Sequence, residues 1–172
     1  LLEICKSAID GSNYDEGLQY SNKVLEIDPE NFDAWIYKAI SAFWKTTVAN
    51  NRYDEAMGYL NKAERIEKDN PRVQEIREYL TNSQIQWFVH LGDEQVARGV
   101  EIWNIYASYN TFSDSFAAAV TGNPEAKNHS QEYFVQAMNY FLTASIYNEP
   151  NYEVLHRIRN LARNYSWIGW SS

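Results

Sequence analysis

The chain has 172 residues, which is enough for one ordinary domain or for a short array of smaller units stacked in a row. Hydrophobic residues make up 45% of it and charged residues 22%, which excludes a disordered tail. The formal net charge of -8 disfavours binding to a phosphate backbone, so no nucleic-acid partner is expected.

Cysteine use and hydropathy bound the class of protein further. The single cysteine, Cys5, excludes a disulfide scaffold and weakly favours a reducing compartment. Apolar stretches are interrupted well before the ~20 residues that a membrane span requires, so no membrane span is predicted. We expect a cytoplasmic protein. Because the chain starts at Leu1 without a methionine, we also expect it to be a piece of a longer protein.

Few residues in this chain break helices, since it contains only four prolines and seven glycines. Apolar residues follow a 3.6-residue period through residues 14–27 and again through residues 53–66, which predicts two amphipathic helices. The prolines all follow polar or acidic residues and are predicted to mark joints between helices. They are Pro29, Pro71, Pro124 and Pro150.

The two amphipathic stretches are copies of each other. The segment that starts at Tyr14 reads YDEGLQYSNKVL, and the one that starts at Tyr53 reads YDEAMGYLNKAE. Residues 13–31 resemble the second helix of a tetratricopeptide repeat (TPR), a helix-turn-helix unit of about 34 residues, and residues 34–39 resemble the start of the next first helix. In this resemblance Trp35 takes the large aromatic position of the family.

The resemblance covers residues 1–71, with Ala39 at the small position and Pro29 at the terminal proline. The loop over residues 45–52 is about five residues longer than the family norm. A weaker match lies at 130–150, in the spacing of Phe134, Ala137, Phe141 and Ala144. Residues 72–129 are predicted as irregular helical repeats, with separate helices around Val73, Ile76 and Leu80, around Val96, Val100, Trp103 and Ala107, and over 116–120.

The fold class predicted is therefore all-α. We expect a single TPR-like domain over residues 1–172, an α-α superhelix of about four helix pairs with a C-terminal capping helix at 151–165. In the cap, the apolar side chains should face inward and the arginines outward into solvent. The inward set is Val154, Leu155, Ile158 and Leu161, and the outward set is Arg157, Arg159 and Arg163.

No motif in the sequence supports catalysis, and we predict that the protein is not an enzyme. His90, His129 and His156 lack metal-ligand spacing and are interpreted as solvated or locally hydrogen-bonded. Cys5 lies in an apolar helical run, where packing is the favoured role. We expect no catalytic residue, no metal and no cofactor.

The family resemblance places partner binding on the first helices of the repeats, which line a concave face. Residues 32–44 form a helix that is apolar almost all round, so its second apolar face is either buried by neighbouring helices or part of a binding groove. Both readings stay open for Ile36, Ile40 and Trp44. The candidate partner-binding residues are Lys6, Asp33, Ile36, Tyr37, Ile40 and Trp44.

The carboxylate-binding members of the family carry basic residues on these helices, and only one of the matching positions here is basic. Those positions are Leu2, Lys6, Tyr37, Glu75 and Tyr79. The sequence therefore predicts a non-catalytic protein–protein interaction module, or scaffold, that binds an apolar or aromatic peptide or helix. The alternative is an architectural or self-associating segment, in which Trp167 and Trp170 pack against another copy or a further part of the parent protein.

Overall fold

The computed structural model describes residues 1–109, 124–147 and 151–165, and within these ranges the chain is helical and contains no strand. The all-α prediction is confirmed. The helix predicted at 116–120, and the residues Pro150, Trp167 and Trp170, lie outside the described ranges. The helices are α1 (Leu2–Asp10), α2 (Tyr14–Ile27), α3 (Phe32–Trp44), α4 (Tyr53–Ile66), α5 (Pro71–Tyr109), α6 (Pro124–Ser145) and α7 (Tyr152–Asn164).

Asparagine caps begin four of these helices. The Oδ1 atoms of Asn31 and Asn151 accept hydrogen bonds of 3.0 and 3.1 Å from backbone N–H groups three residues on. Asn13 and Asn70 accept in the same way from the first turns of α2 and α5. Each bond satisfies a backbone donor that a helix start leaves without a partner. At Asn13, Asn31 and Asn70 the side-chain amide also donates to a carboxylate, at Glu16, Asp28 and Glu67 respectively.

Residues 1–82 form one compact unit, in which consecutive helices pack against each other from α1 to α4 and α1 also contacts α3. Gly17 of α2 brings the backbone of α2 close to α3, because a β-carbon at position 17 would lie 2.5 Å from Ser41 Oγ. Gly17 and Ala56 take equivalent positions in the two similar sequence stretches, and both are buried.

The start of α5, up to Asn82, completes the core of this unit. Val73 and Leu80 are buried with Ile36 and Leu60 in one hydrophobic cluster. Polar contacts join α5 to α4 beside this cluster: the Tyr53 hydroxyl lies 2.9 Å from Thr81 Oγ1, and an ion pair of 3.0 Å joins Arg77 to Glu64. The loop over residues 45–52 is present as predicted.

The prediction of separate helices within residues 72–109 is wrong, because α5 is one helix of 39 residues. The segment contains no proline after Pro71, so nothing removes a backbone hydrogen-bond donor from its interior. Gly92 and Gly99 do not interrupt it, since both are buried at helix contacts.

Residues 83–172 form a second compact unit, described here through the remainder of α5, α6 and α7. Its core contains Phe134 and Phe141 of α6 with Val154 and Leu161 of α7. The ring of Phe134 stacks on Tyr165 with centroids 3.9 Å apart. The predicted apolar spacing of α6 is confirmed as a buried face, because Ala137 and Ala144 are also fully buried.

The predicted faces of α7 need two corrections. Leu155 does not face inward, because it is 44% exposed, whereas Val154 and Leu161 are buried as expected. Arg157 does not project freely into solvent: its guanidinium makes hydrogen bonds of 3.0 and 3.1 Å to the two carboxylate oxygens of Asp93 on α5. The hydrogen bond to Asp93 raises the pKa of Arg157. This arginine therefore holds α7 to α5.

Candidate partner-binding face

Three segments of the first unit lie side by side: α1, α3 and the start of α5. Helix α1 contacts α3 directly. At the beginnings of α3 and α5, Asp33 pairs with Arg72, and at their other contact the ring centroids of Trp44 and Tyr79 are 6.3 Å apart. Asp33 and Arg72 both lie near the N-termini of their helices, and Trp44 and Tyr79 both lie later along the chain. The helix α3 and the start of α5 therefore run parallel.

Trp44 is the centre of a row of three aromatic side chains. Its ring centroid lies 6.0 Å from that of Tyr14 and 6.3 Å from that of Tyr79. Trp44 is 40% exposed and Tyr79 is 54% exposed, so a broad apolar and polarisable surface faces solvent. An ion pair between Lys45 and Asp15 ties the end of α3 to the start of α2 beside the row. We call Tyr14, Trp44 and Tyr79 the aromatic row.

Tyr37 lies farther from the end of α3, between the aromatic row and the Asp33–Arg72 pair. The Arg72 guanidinium carbon is 5.7 Å from the centroid of the Tyr37 ring, within the range of a cation–π contact. Burial lowers the pKa of Arg72, while its hydrogen bonds to Asp33 and Tyr37 raise it, with a net increase. Arg72 is therefore held by its own neighbours.

The candidate residues fall into two groups. Lys6, Asp33, Tyr37, Ile40 and Trp44 are exposed or partly exposed. Lys6 forms an ion pair of 3.6 Å with Asp10. It lies one helical turn after Leu2, and Leu2 packs against the same hydrophobic cluster as Tyr37.

Ile36 is the exception, and its inclusion as a possible binding residue is wrong. It has no exposed surface, and it packs in the core with Leu60, Val73 and Leu80. The second apolar face of α3 is therefore buried at one end and exposed at the other. Ile36 lies in the core, Ile40 is half-buried, and Trp44 is exposed.

Sequence reasoning missed Arg72 and Tyr14 as members of this face. A signal for Arg72 was present, because the offset that aligns Tyr14 with Tyr53 also aligns Asp33 with Arg72. In the sequence, Tyr14 is only the first residue of the amphipathic stretch over residues 14–27. Its contact with Trp44 depends on how α2 packs on α3, which periodicity does not give.

The cysteine and two of the histidines, which are candidate reactive or metal-binding groups, are instead buried in the core or in contact with residues of their own helices. Cys5 is fully buried, and burial raises the pKa of its thiol, as a packing role requires. His90 and His156 are exposed and contact Glu94 and Asn160 on their own helices. Among the described residues, no group of histidine, cysteine, aspartate or glutamate side chains could hold a metal ion. None of the helices in the described ranges is both long and apolar enough to cross a membrane.

No protein-family model, no curated protein and no solved structure matches this chain.

Proposed function

We propose that this protein is a non-catalytic interaction module that binds a partner peptide or helix on the concave face of a TPR-like helical-repeat solenoid. The face would be built from α1, α3 and the start of α5. Lys6, Asp33, Tyr37, Ile40 and Trp44 would contribute to it, together with Tyr14, Arg72 and Tyr79.

The exposure of the aromatic row is the observation that carries this proposal. A tryptophan flanked by two tyrosines offers large contact area with little side-chain entropy to lose, which is why such residues dominate binding energies at interfaces. The core of the unit does not need this surface, because its cluster is already filled by fully buried residues such as Leu60 and Leu80. A contiguous exposed patch of this kind is typical of a partner-binding surface.

Selection from a displayed library of random peptides tests the proposal. We expect the wild-type protein to retain peptides that the Trp44→Ala variant does not retain. The control is Ile27→Ala, which removes an apolar side chain of 76% exposure from α2 and should leave peptide retention unchanged. Circular dichroism and thermal melting of each variant check that the fold is kept. Equal retention by wild type and Trp44→Ala would contradict the proposal.

Self-association is the second candidate function, and one observation on α6 favours it. Val135 and Leu142 of α6 are 37% and 48% exposed, and Ile146, directly after the helix, is 74% exposed. Between Gln131 and Tyr147 the only charged residue is Glu132, and depletion of charge is typical of interface cores.

Measurement of molar mass in solution tests self-association. A dimer that dissociates in the double variant Leu142→Gln/Ile146→Gln would support it. A wild-type monomer at all concentrations would exclude it.

A further inference from the structure

We propose that the partner segment is basic, and that one of its arginine or lysine side chains lies against Tyr37 and the aromatic row with its charge paired to Glu75. This inference rests on the proposed function and adds the chemistry of the partner. The inference is based on the charged side chains of this face: some form ion pairs with each other, and others have no partner among the residues that the structure describes.

Most charges around the face have partners. Asp33 pairs with Arg72, Lys6 with Asp10, and Lys45 with Asp15. Each of these pairs has no net charge, so an incoming ionic group gains little from them unless it breaks a pair. The remaining charge on this face therefore decides which sign of ligand is favoured.

Among the described residues of this face, Glu75 of α5 is an unpaired charge. It is exposed, and within the described part of the chain its carboxylate makes no hydrogen bond or ion pair. It lies on α5 one turn after Arg72 and one turn before Tyr79, on the side of the helix that both of those residues share. Because Arg72 contacts Tyr37 and Tyr79 contacts Trp44, Glu75 is placed level with the stretch of α3 between these two aromatic residues.

Aromatic faces beside an unpaired carboxylate favour a cation. A guanidinium or ammonium group within about 6 Å of a ring centroid is attracted by the negative face of the ring. The same group can donate a charge-assisted hydrogen bond to the carboxylate. An acidic segment would instead meet Glu75 and a chain whose net charge is -8, which slows association and weakens binding.

The experiment uses the peptides that wild type retains and Trp44→Ala does not. We expect these peptides to be enriched in arginine or lysine over the unselected library. The Glu75→Gln variant should bind the best of them about tenfold more weakly, as loss of one charge-assisted hydrogen bond implies. Replacing the cationic residue of the peptide by norleucine should weaken binding to wild type and have little further effect on Glu75→Gln.

Glu26→Gln is the matched control, because it removes the same charge from the exposed surface of α2. It should change affinity much less than Glu75→Gln. If Trp44-dependent peptides lack cationic enrichment, or if Glu75→Gln binds them as wild type does, the inference is overturned while the proposed function stands. If no Trp44-dependent peptide is found, the proposed function fails, and this inference fails with it.

Discussion

Gly99 of α5 faces the ring of Phe134 of α6 with no space for a side chain, because a β-carbon at position 99 would lie 2.7 Å from Phe134 Cε1. One heptad earlier on α5, Gly92 meets the ring of Phe141 in the same way. Since the glycine positions rise as the phenylalanine positions fall, α5 and α6 are antiparallel within this unit. The close approach of the two helices depends on both glycines.

Gly99→Ala is therefore expected to destabilise the protein although alanine is the better helix former. Overpacking of a core costs about 1–3 kcal/mol, and the gain in helix propensity is about 1 kcal/mol, so we expect a net loss of stability of up to about 2 kcal/mol. Urea unfolding measures this change. Gly58→Ala is the matched control, because a β-carbon at position 58 of α4 would contact nothing within 4 Å. That control should be stabilised, and equal behaviour of the two variants would contradict the packing argument.

Glu55 links stability to pH at the acid end. The Arg52 guanidinium donates hydrogen bonds of 2.6 and 2.7 Å to its carboxylate, and the hydrogen bond from Arg52 lowers the pKa of Glu55 from 4.5 to about 2. A lowered pKa in the folded state means that the stabilisation is complete above pH 4.5 and is lost as the pH falls towards 2.

The Glu55→Gln variant should therefore show a shallower loss of stability than wild type over that pH window. Urea midpoints measured across it give the comparison. Asp54→Asn removes the same charge from the neighbouring exposed position and should keep the slope of wild type. An unchanged slope in Glu55→Gln would show that the Arg52–Glu55 contact does not form in solution.

Gln84 is a fully buried side chain of α5 whose amide nitrogen and oxygen have no hydrogen-bond partner within the described part of the chain. Burying an amide in this way costs about 1–3 kcal/mol. Gln84→Met keeps similar volume and removes the polar group, so we expect unfolding free energy to rise by about 1 kcal/mol or more. Gln86→Met, at an exposed position two residues on, should change it by less than about 0.5 kcal/mol. A destabilised Gln84→Met would show that the amide is satisfied in solution.

Arg157 and Asp93 provide a test of the contact between α7 and α5. Their side chains are 29% and 48% exposed, so solvent screens the pair and a coupling energy of about 0.5–1 kcal/mol is expected. A double-mutant cycle with Arg157→Met and Asp93→Asn measures this coupling through urea unfolding. If the changes in unfolding free energy of the two single variants add up to that of the double variant, Arg157 does not contact Asp93 in solution and faces solvent, as the sequence predicts.

Local patterns in the sequence predicted the helices of the first unit well, because helix starts and packing faces are encoded by near neighbours. The prolines at positions 29 and 71 mark helix joints, and Gly17 and Ala56 lie buried at helix contacts. The continuity of α5 does not follow from the family resemblance, because a repeat length of about 34 residues implies breaks within this segment, which contains no proline after Pro71. The candidate face was partly predicted: Trp44 is exposed, but the burial of Ile36 depends on neighbours distant in sequence.

The asparagine caps have a consequence for chemical ageing. Deamidation turns an amide into a carboxylate, and at positions 13, 31 and 70 the amide that would be lost now donates to a carboxylate. Each of these helix starts would then hold two like charges within hydrogen-bonding distance. At Asn151 the cap oxygen would be kept, and the added negative charge would lie where the helix dipole favours it. Among the asparagine-capped helix starts that the structure describes, those of the N-terminal unit are therefore the ones sensitive to deamidation.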